Sequence, residues 1–377
     1  MRGSLKIFTW FGIPVYVHWS FGLIFLYILW KANEQSFSTN ETLWLTGLYM
    51  ALFACVLLHE YGHALTARRY GIRTRDIVLL PIGGMARLER MPEKPVQELV
   101  VAIAGPLVNV VIAILLGLSI WLFAHPDQLE ALRLSVQAQA TGDSAQGTGI
   151  EVAKLLESAV ILTLGNLVLF LFNLIPAFPM DGGRVLRALL SMRIGRPKAT
   201  RVAAWVGQGI AGVLVIWGVM EGDYLRMLLG LFVIYAARNE NAQVQTDALL
   251  NRFTARDVVR LQFTRLHGND WMKDPIELLQ HGLERNFLVF DMAEQLTGVL
   301  EEKDILIAMR KADTSAAVQQ YTQRVEVVAA TESLRYVYHL LQQRGHSLVA
   351  VTENDALLGV VDDAGMQYFM ARQGRRQ

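Results

Sequence analysis

Hydrophobic positions gather in long runs over roughly the first 240 residues and in short strand-like or helix-like runs after that. Hydrocarbon about 30 Å thick needs roughly 20 apolar helical residues, so a run of that length predicts a transmembrane helix. Segments that meet or approach it lie at about 15–30, 43–66, 96–123, 152–174, 202–220 and, shorter, 224–237. The expected fold class is a polytopic α-helical membrane protein with about six transmembrane helices. The second and fourth runs differ from the others, because each carries polar or ionisable residues towards its C-terminal end. Between the second and third, residues 76–88 (DIVLLPIGGMARL) are β-rich around Gly83 and Gly84 and read as a short membrane-embedded hairpin. Non-helical backbone is tolerated at that depth only where it is buried in protein or lines a cavity. The polar, Gly/Ala/Gln-rich segment 125–149 reads as an external loop.

After Arg238 the pattern changes, and a charged α/β domain is expected from about 245 onward. This divides the chain into a transmembrane domain, 1–240, and a cytosolic domain, 241–377. A weak repeat with a period of about 60 residues runs through the second part. FLVFDMAEQLTGVLEEKDIL resembles SLVAVTENDALLGVVDDAGM, and an amphipathic helical pattern precedes each. Two copies of one α/β unit account for the tail.

Composition agrees with the pattern. Of 377 residues 53% are hydrophobic and 18% charged, against about 25% charged in an ordinary soluble protein. Mean hydropathy is +0.31. A net charge of +1 gives no electrostatic case for nucleic acid. The single cysteine, Cys55, rules out a disulfide framework. The basic start MRGSLK precedes an apolar stretch with no small-residue cleavage site after it, so a retained first span is expected. Lys and Arg concentrate after the second run (Arg68, Arg69, Arg73, Arg75, Arg87, Arg90, Lys94) and after the fourth (Arg184, Arg187, Arg193, Arg196, Lys198, Arg201). That asymmetry places the N-terminus, both basic segments and the C-terminal domain in the cytoplasm of a multi-pass protein of the cell (plasma or inner) membrane. The polar ends of the second and fourth runs then share one side of the bilayer.

His59-Glu60-Tyr61-Gly62-His63 closes the second run. Residues four apart lie about 40° apart around a helix, so both imidazoles face one way. Zinc accepts two such nitrogens, and the glutamate between them can take a proton from a metal-bound water. An ionisable residue in an apolar span costs about 3 kcal/mol on insertion scales; three together need a reason, though a polar helix end at the interface is the plainer alternative. A catalytic zinc takes a third protein ligand. Asp181, in NLIPAFPMDGGRVLRALL, follows two prolines that break the helix and shares the membrane side of the histidines. Its alternative role is N-cap of a helix starting at Gly182. Asn173 ends the fourth run and could donate to an oxyanion, or serve as a helix C-cap or interhelical bond. Asn109, in AGPLVNVV, is a weaker candidate and could be glue between helices.

An HExxH in one span and an N-x-x-P-x-x-P-x-D-G-G run in a later one resemble the site-2 protease family of intramembrane zinc proteases. The likeness covers about residues 1–240, with the GIPVYVHWS lead-in, the Gly83-Gly84 hairpin and AGPLVN. It implies one Zn2+ per chain held by His59, His63 and Asp181, Glu60 as general base and Asn173 as transition-state donor. It also places Gly83 and Gly84, and more weakly Asn109, beside a membrane-protein substrate, either single-span or hairpin, that is cut in the lipid bilayer. The tail is similar to a pair of cystathionine-β-synthase-type (CBS) domains, which bind adenine nucleotides through a Gly–strand–Ser/Thr–x-x-Asp pattern. Glu301 stands where Ser or Thr is expected and Gly365 where Asp is expected. Both departures tell against a nucleotide and favour a homodimer or gating contact through the pair. Two rivals stand beside this reading. One is a membrane zincin with a Glu or His third ligand on a following helix; the other is a sensor or scaffold built on the CBS pair.

Overall fold

The computed structural model describes residues 3–81, 83–92, 94–124, 150–282, 284–343 and 345–374; the expected external loop at 125–149 lies outside them. The chain divides into two units, Met1–Val244 and Gln245–Gln377.

The first unit opens with strands β1 (Ser4–Trp10) and β2 (Ile13–His18), an antiparallel hairpin turning at Phe11 and Gly12, both at positive φ. Helix α1 (Gly22–Glu34) follows. The run at 15–30 is therefore not one transmembrane helix. Its first residues alternate β-branched and aromatic side chains in a strand, and its helix of 13 residues is about 20 Å long. A short apolar run does not distinguish strand from helix by hydrophobicity alone.

Helix α2 (Thr39–Arg69) begins in a capping box between Ser38 and Glu41 and carries Arg68 and Arg69 in its last turn, where cations suit the helix dipole. Strands β3 (Thr74–Leu80) and β4 (Gly83–Leu88) form the hairpin around Gly83. Strand β3 also pairs in parallel with β2, Val15 opposite Ile77 and Val17 opposite Leu79, which makes one sheet in the order β1-β2-β3-β4. Ile13, Val15, Ile77 and Leu79 on this sheet bury themselves with Ile24 and Ile28 of α1 and Tyr61 and Ala64 of α2. Strand β4 is left at the sheet's edge.

The remaining helices are α3 (Pro95–Phe123), α4 (Ile150–Asn173), α5 (Asp181–Ile194), α6 (Arg196–Glu221) and α7 (Tyr224–Leu250). Among the described residues four helices are long and apolar enough to cross a membrane: α2, α3, α6 and Lys154–Asn173 of α4. Their outward faces are apolar, as at Trp121, which is 77% exposed. The segment 224–237 is helical but does not meet that standard, because α7 continues into polar sequence through residue 250. The change of composition after Arg238 thus falls inside a helix.

In the second unit the order strand–helix–strand–strand–helix occurs twice. The first copy is β5 (Arg265–His267), α8 (Lys273–His281), β6 (Phe287–Phe290), β7 (Leu296–Leu300) and α9 (Glu302–Arg310). The second is β8 (Glu326–Ala329), α10 (Leu334–Gln343), β9 (Leu348–Glu353), β10 (Ala356–Asp362) and α11 (Asp363–Gly374). Each sheet joins a parallel to an antiparallel pair in the same sense. Strand side chains alternate between faces: Phe287 and Val289 pack on their own helices, while Leu288 and Phe290 meet Leu348, Ala350 and Val360 of the other copy. The glycine leading each second β-run has a structural cause. A Cβ on Gly298 would strike the Gln323 carbonyl and one on Gly359 the Arg260 carbonyl.

Candidate metal centre

His59 and His63 lie on one face of α2, four residues apart, both buried. Asp181 reaches them from α5. Between the end of α4 and that residue, Pro176 and Pro179 deny the backbone a continuous helix. Gly182 then packs against the carbonyls of Leu174 and Ile175, where any Cβ would collide. The chain folds back on itself, and Asp181 emerges as the first residue of α5. It is not the helix N-cap: that position belongs to Met180, which makes no side-chain cap bond, and the Asp181 carboxylate is turned to the imidazoles.

The donor atoms converge. His63 Nε2 lies 3.0 Å from Asp181 Oδ2, His59 Nε2 lies 3.2 Å from the same oxygen, and the two Nε2 atoms are 3.1 Å apart. A tetrahedral zinc with bonds of about 2.0–2.1 Å sets its ligand atoms about 3.3 Å apart, so the residues present fit the ion. This is the one His/Cys/Asp/Glu cluster with metal-binding geometry among the described residues. His63 Nδ1 donates to the Val101 carbonyl at 2.8 Å; a carbonyl only accepts, so the Nε2 lone pair is free to face the cluster. Gly105 lies beneath this ring, and a Cβ there would coincide with the imidazole.

Glu60 points to the opposite neighbour, β4. Its Oε2 accepts the Ala86 backbone N–H at 2.8 Å. Gly84 lets the side chain lie there, since a Cβ would come within 2.7 Å of Glu60 Cγ. Gly83 precedes it at a φ of 138°. Asn173 ends α4 half-buried, and its amide makes no side-chain hydrogen bond among the described residues. Asn109 is fully buried on α3, 3.2 Å from His59 Nδ1, so it stands behind a histidine and not on a face open to substrate.

The family model for peptidase family M50 matches residues 47–217, a stretch that contains every residue of this cluster. The zinc metalloprotease MJ0392 of Methanocaldococcus jannaschii is 34% identical over 69% of this chain and 67% of its own. The chain belongs to peptidase family M50. The M50 chain is also 31% identical to sll0528 of Synechocystis sp. over 97% of this chain and 95% of that protein. The solved site-2 protease from Methanocaldococcus jannaschii shares 34% identity, covering 63% of this chain and 95% of that one with a TM-score of 0.44. Four long apolar helices and the family together make this M50 chain a membrane protein.

Arg187, one of the cations of the basic segment after α4, is fully buried, its Nη2 2.5 Å from Glu98 Oε1 and its Nη1 paired with Glu240, so one guanidinium ties α3, α5 and α7 together. Arg87 likewise pairs across the hairpin with Asp76. Arg184, three residues beyond Asp181, lies 3.8 Å from its Oδ1. An ionisable residue within apolar helices was the available signal for the Glu98–Arg187 pair; its partner choice was not.

Proposed function

We propose that this protein is an intramembrane zinc metalloendopeptidase that hydrolyses peptide bonds of membrane-anchored proteins. His59, His63 and Asp181 hold the ion, and Glu60 is the general base. The reading is carried by one observation: three donor atoms from two separate helices lie 3.0 to 3.2 Å apart in a buried cluster. A site of this kind, with both histidines on a helix able to span a bilayer, meets peptide bonds inside or beside the membrane. The zincin alternative needs a different third ligand, and the described residues offer no other cluster.

Zinc, when bound, supplies a Lewis acid that polarises the carbonyl and lowers the pKa of a coordinated water towards about 7. Glu60 is the residue that would accept a proton from the attacking water and pass it to the departing amine. Asn173, with an unengaged amide on the α4 side, donates to the carbonyl oxygen as it gains charge. The substrate, a single-span or hairpin membrane protein, extends along β4. The open edge of that strand supports this reading, because an added strand satisfies its own backbone there and the same edge already holds Glu60.

The termini are cytoplasmic, with α7 supplying one further crossing and the strand β2 together with α1 supplying the other. The C-terminal unit is a CBS-type pair that serves as a dimerisation or gating contact, a reading supported by its twice-repeated element order. Glu301, a buried carboxylate, stands where the nucleotide-binding pattern has Ser or Thr, and its charge tells against a phosphate-bearing ligand, although Asp304 keeps the aspartate of that pattern.

Glu60→Gln tests the central assignment. Cleavage of a co-expressed single-span substrate should fall by about 10²–10⁴-fold, while zinc stoichiometry stays near that of wild type. Cleavage at the wild-type rate would remove Glu60 as the base.

A further inference from the structure

Each imidazole of the cluster has a second nitrogen facing α3. Val101, Gly105 and Asn109 recur every four residues and so form one stripe of that helix. Val101 takes the Nδ1–H of His63 through its carbonyl. Gly105 gives the His63 ring room. Asn109 sits 3.2 Å from Nδ1 of His59, with no exposed surface at all.

We propose that Asn109 is a positioning residue for the metal: its carboxamide oxygen accepts the Nδ1–H of His59 and so presents the Nε2 lone pair to the ion. The inference rests on the zinc-site reading above and follows from proton counting. A neutral imidazole carries one proton. If Nε2 is a metal ligand, that proton is on Nδ1 and needs an acceptor, and the Asn109 amide is what the structure places there. Asn109 Nδ2 lies 3.2 Å from His59 Nδ1, and Asn109 Oδ1 is buried without a partner. A carboxamide is nearly isosteric end for end, so a half-turn about its last bond sets Oδ1 at the same nitrogen with no movement of α3. This also separates Asn109 from the substrate, because a residue closed behind a ligand cannot line the peptide's path.

The test is zinc affinity of the full-length, detergent-solubilised protein, measured with Zn2+ against a competing chelator. Asn109→Leu keeps the volume and removes both polar ends; its zinc affinity should fall by about 10- to 100-fold, the usual effect of losing such an outer partner. Asn109→Asp offers only acceptors, favours the Nδ1–H form and should bind at least as tightly as wild type. Rescue by Asp is a result that a merely structural role for the amide would not give. Unchanged affinity in the Leu variant, or a raised KM for substrate with zinc binding intact, overturns the inference and leaves the zinc site standing. If the Leu variant does not fold, weaker binding by the Asp variant overturns it alone. A wild-type protein that binds no zinc removes both this inference and the reading beneath it.

Discussion

At the scale of single residues, the cluster depends on what is small as much as on what is polar. Gly105 is the clearest case, because a methyl group there would occupy the space of the His63 ring. Gly105→Ala therefore has two outcomes open to it: the ring leaves Val101 and the other donors, or α2 and α3 separate. Overpacking of this kind costs about 1–3 kcal/mol, and both routes damage the site. The variant should lose zinc under conditions where wild type retains it, measured by metal content after dialysis against a weak chelator. Full zinc retention would show that His63 does not need the contact with α3. Gly84 plays the corresponding part for Glu60 on β4.

At the scale of elements, the C-terminal unit offers a test of its own through two neighbouring carboxylates. Burial works to raise the Glu301 carboxyl, but Lys303 and the backbone N–H of Ser347 outweigh it and hold the group below the ordinary glutamate value. Burial raises the Asp304 carboxyl, Lys303 opposes this, and the Glu301 charge adds to the rise. The signs are opposite. A depressed carboxyl contributes stability above its unfolded pKa and loses it as pH falls through the folded value; a raised one contributes at low pH and loses it as pH climbs through the folded value. Acidification from about pH 6 to about pH 3.5 should thus weaken the β7–α9 region through Glu301 while Asp304 compensates in part. Asp304→Asn should steepen the acid loss and Glu301→Gln should flatten it. Hydrogen exchange of β7 in the full chain, corrected for intrinsic rates, reads both. Parallel profiles for the two variants would mean that neither carboxylate is linked to folding of this region.

At the scale of the whole molecule, the proposed topology makes a stronger demand on α7 than on any other helix. Gly222 separates α6 from α7, and a C-terminal unit on the cytoplasmic side requires α7 to recross the bilayer. Its 27 residues are about 40 Å long, enough to do so, with Leu225, Leu228 and Phe232 exposed on its first half. Single cysteines introduced near Gly222 and in the C-terminal unit, in a Cys55→Ala background, should label from opposite sides of the membrane with an impermeant maleimide. Labelling from the same side would place α7 along the surface.

Much of the site was legible in the linear order because its chemistry is local. The His59–Glu60–His63 spacing is a property of one helix turn, and the prolines and glycines around Asp181 mark a broken helix wherever that helix packs. The long apolar runs fixed α2, α3, α4 and α6 for the same reason, since length and hydropathy belong to a segment by itself. What only the tertiary structure decided was contact between segments. It split the run at 15–30 into a strand and a short helix, because β2 finds its parallel partner in β3, some sixty residues on. It chose Glu98 and Glu240 as the partners of Arg187 and set Asn109, read from the sequence as a weak site candidate or as glue between helices, beside His59. A backbone hydrogen bond or an ion pair needs a second group at a particular distance. That distance is set by how helices and strands pack, which no periodicity along one segment contains.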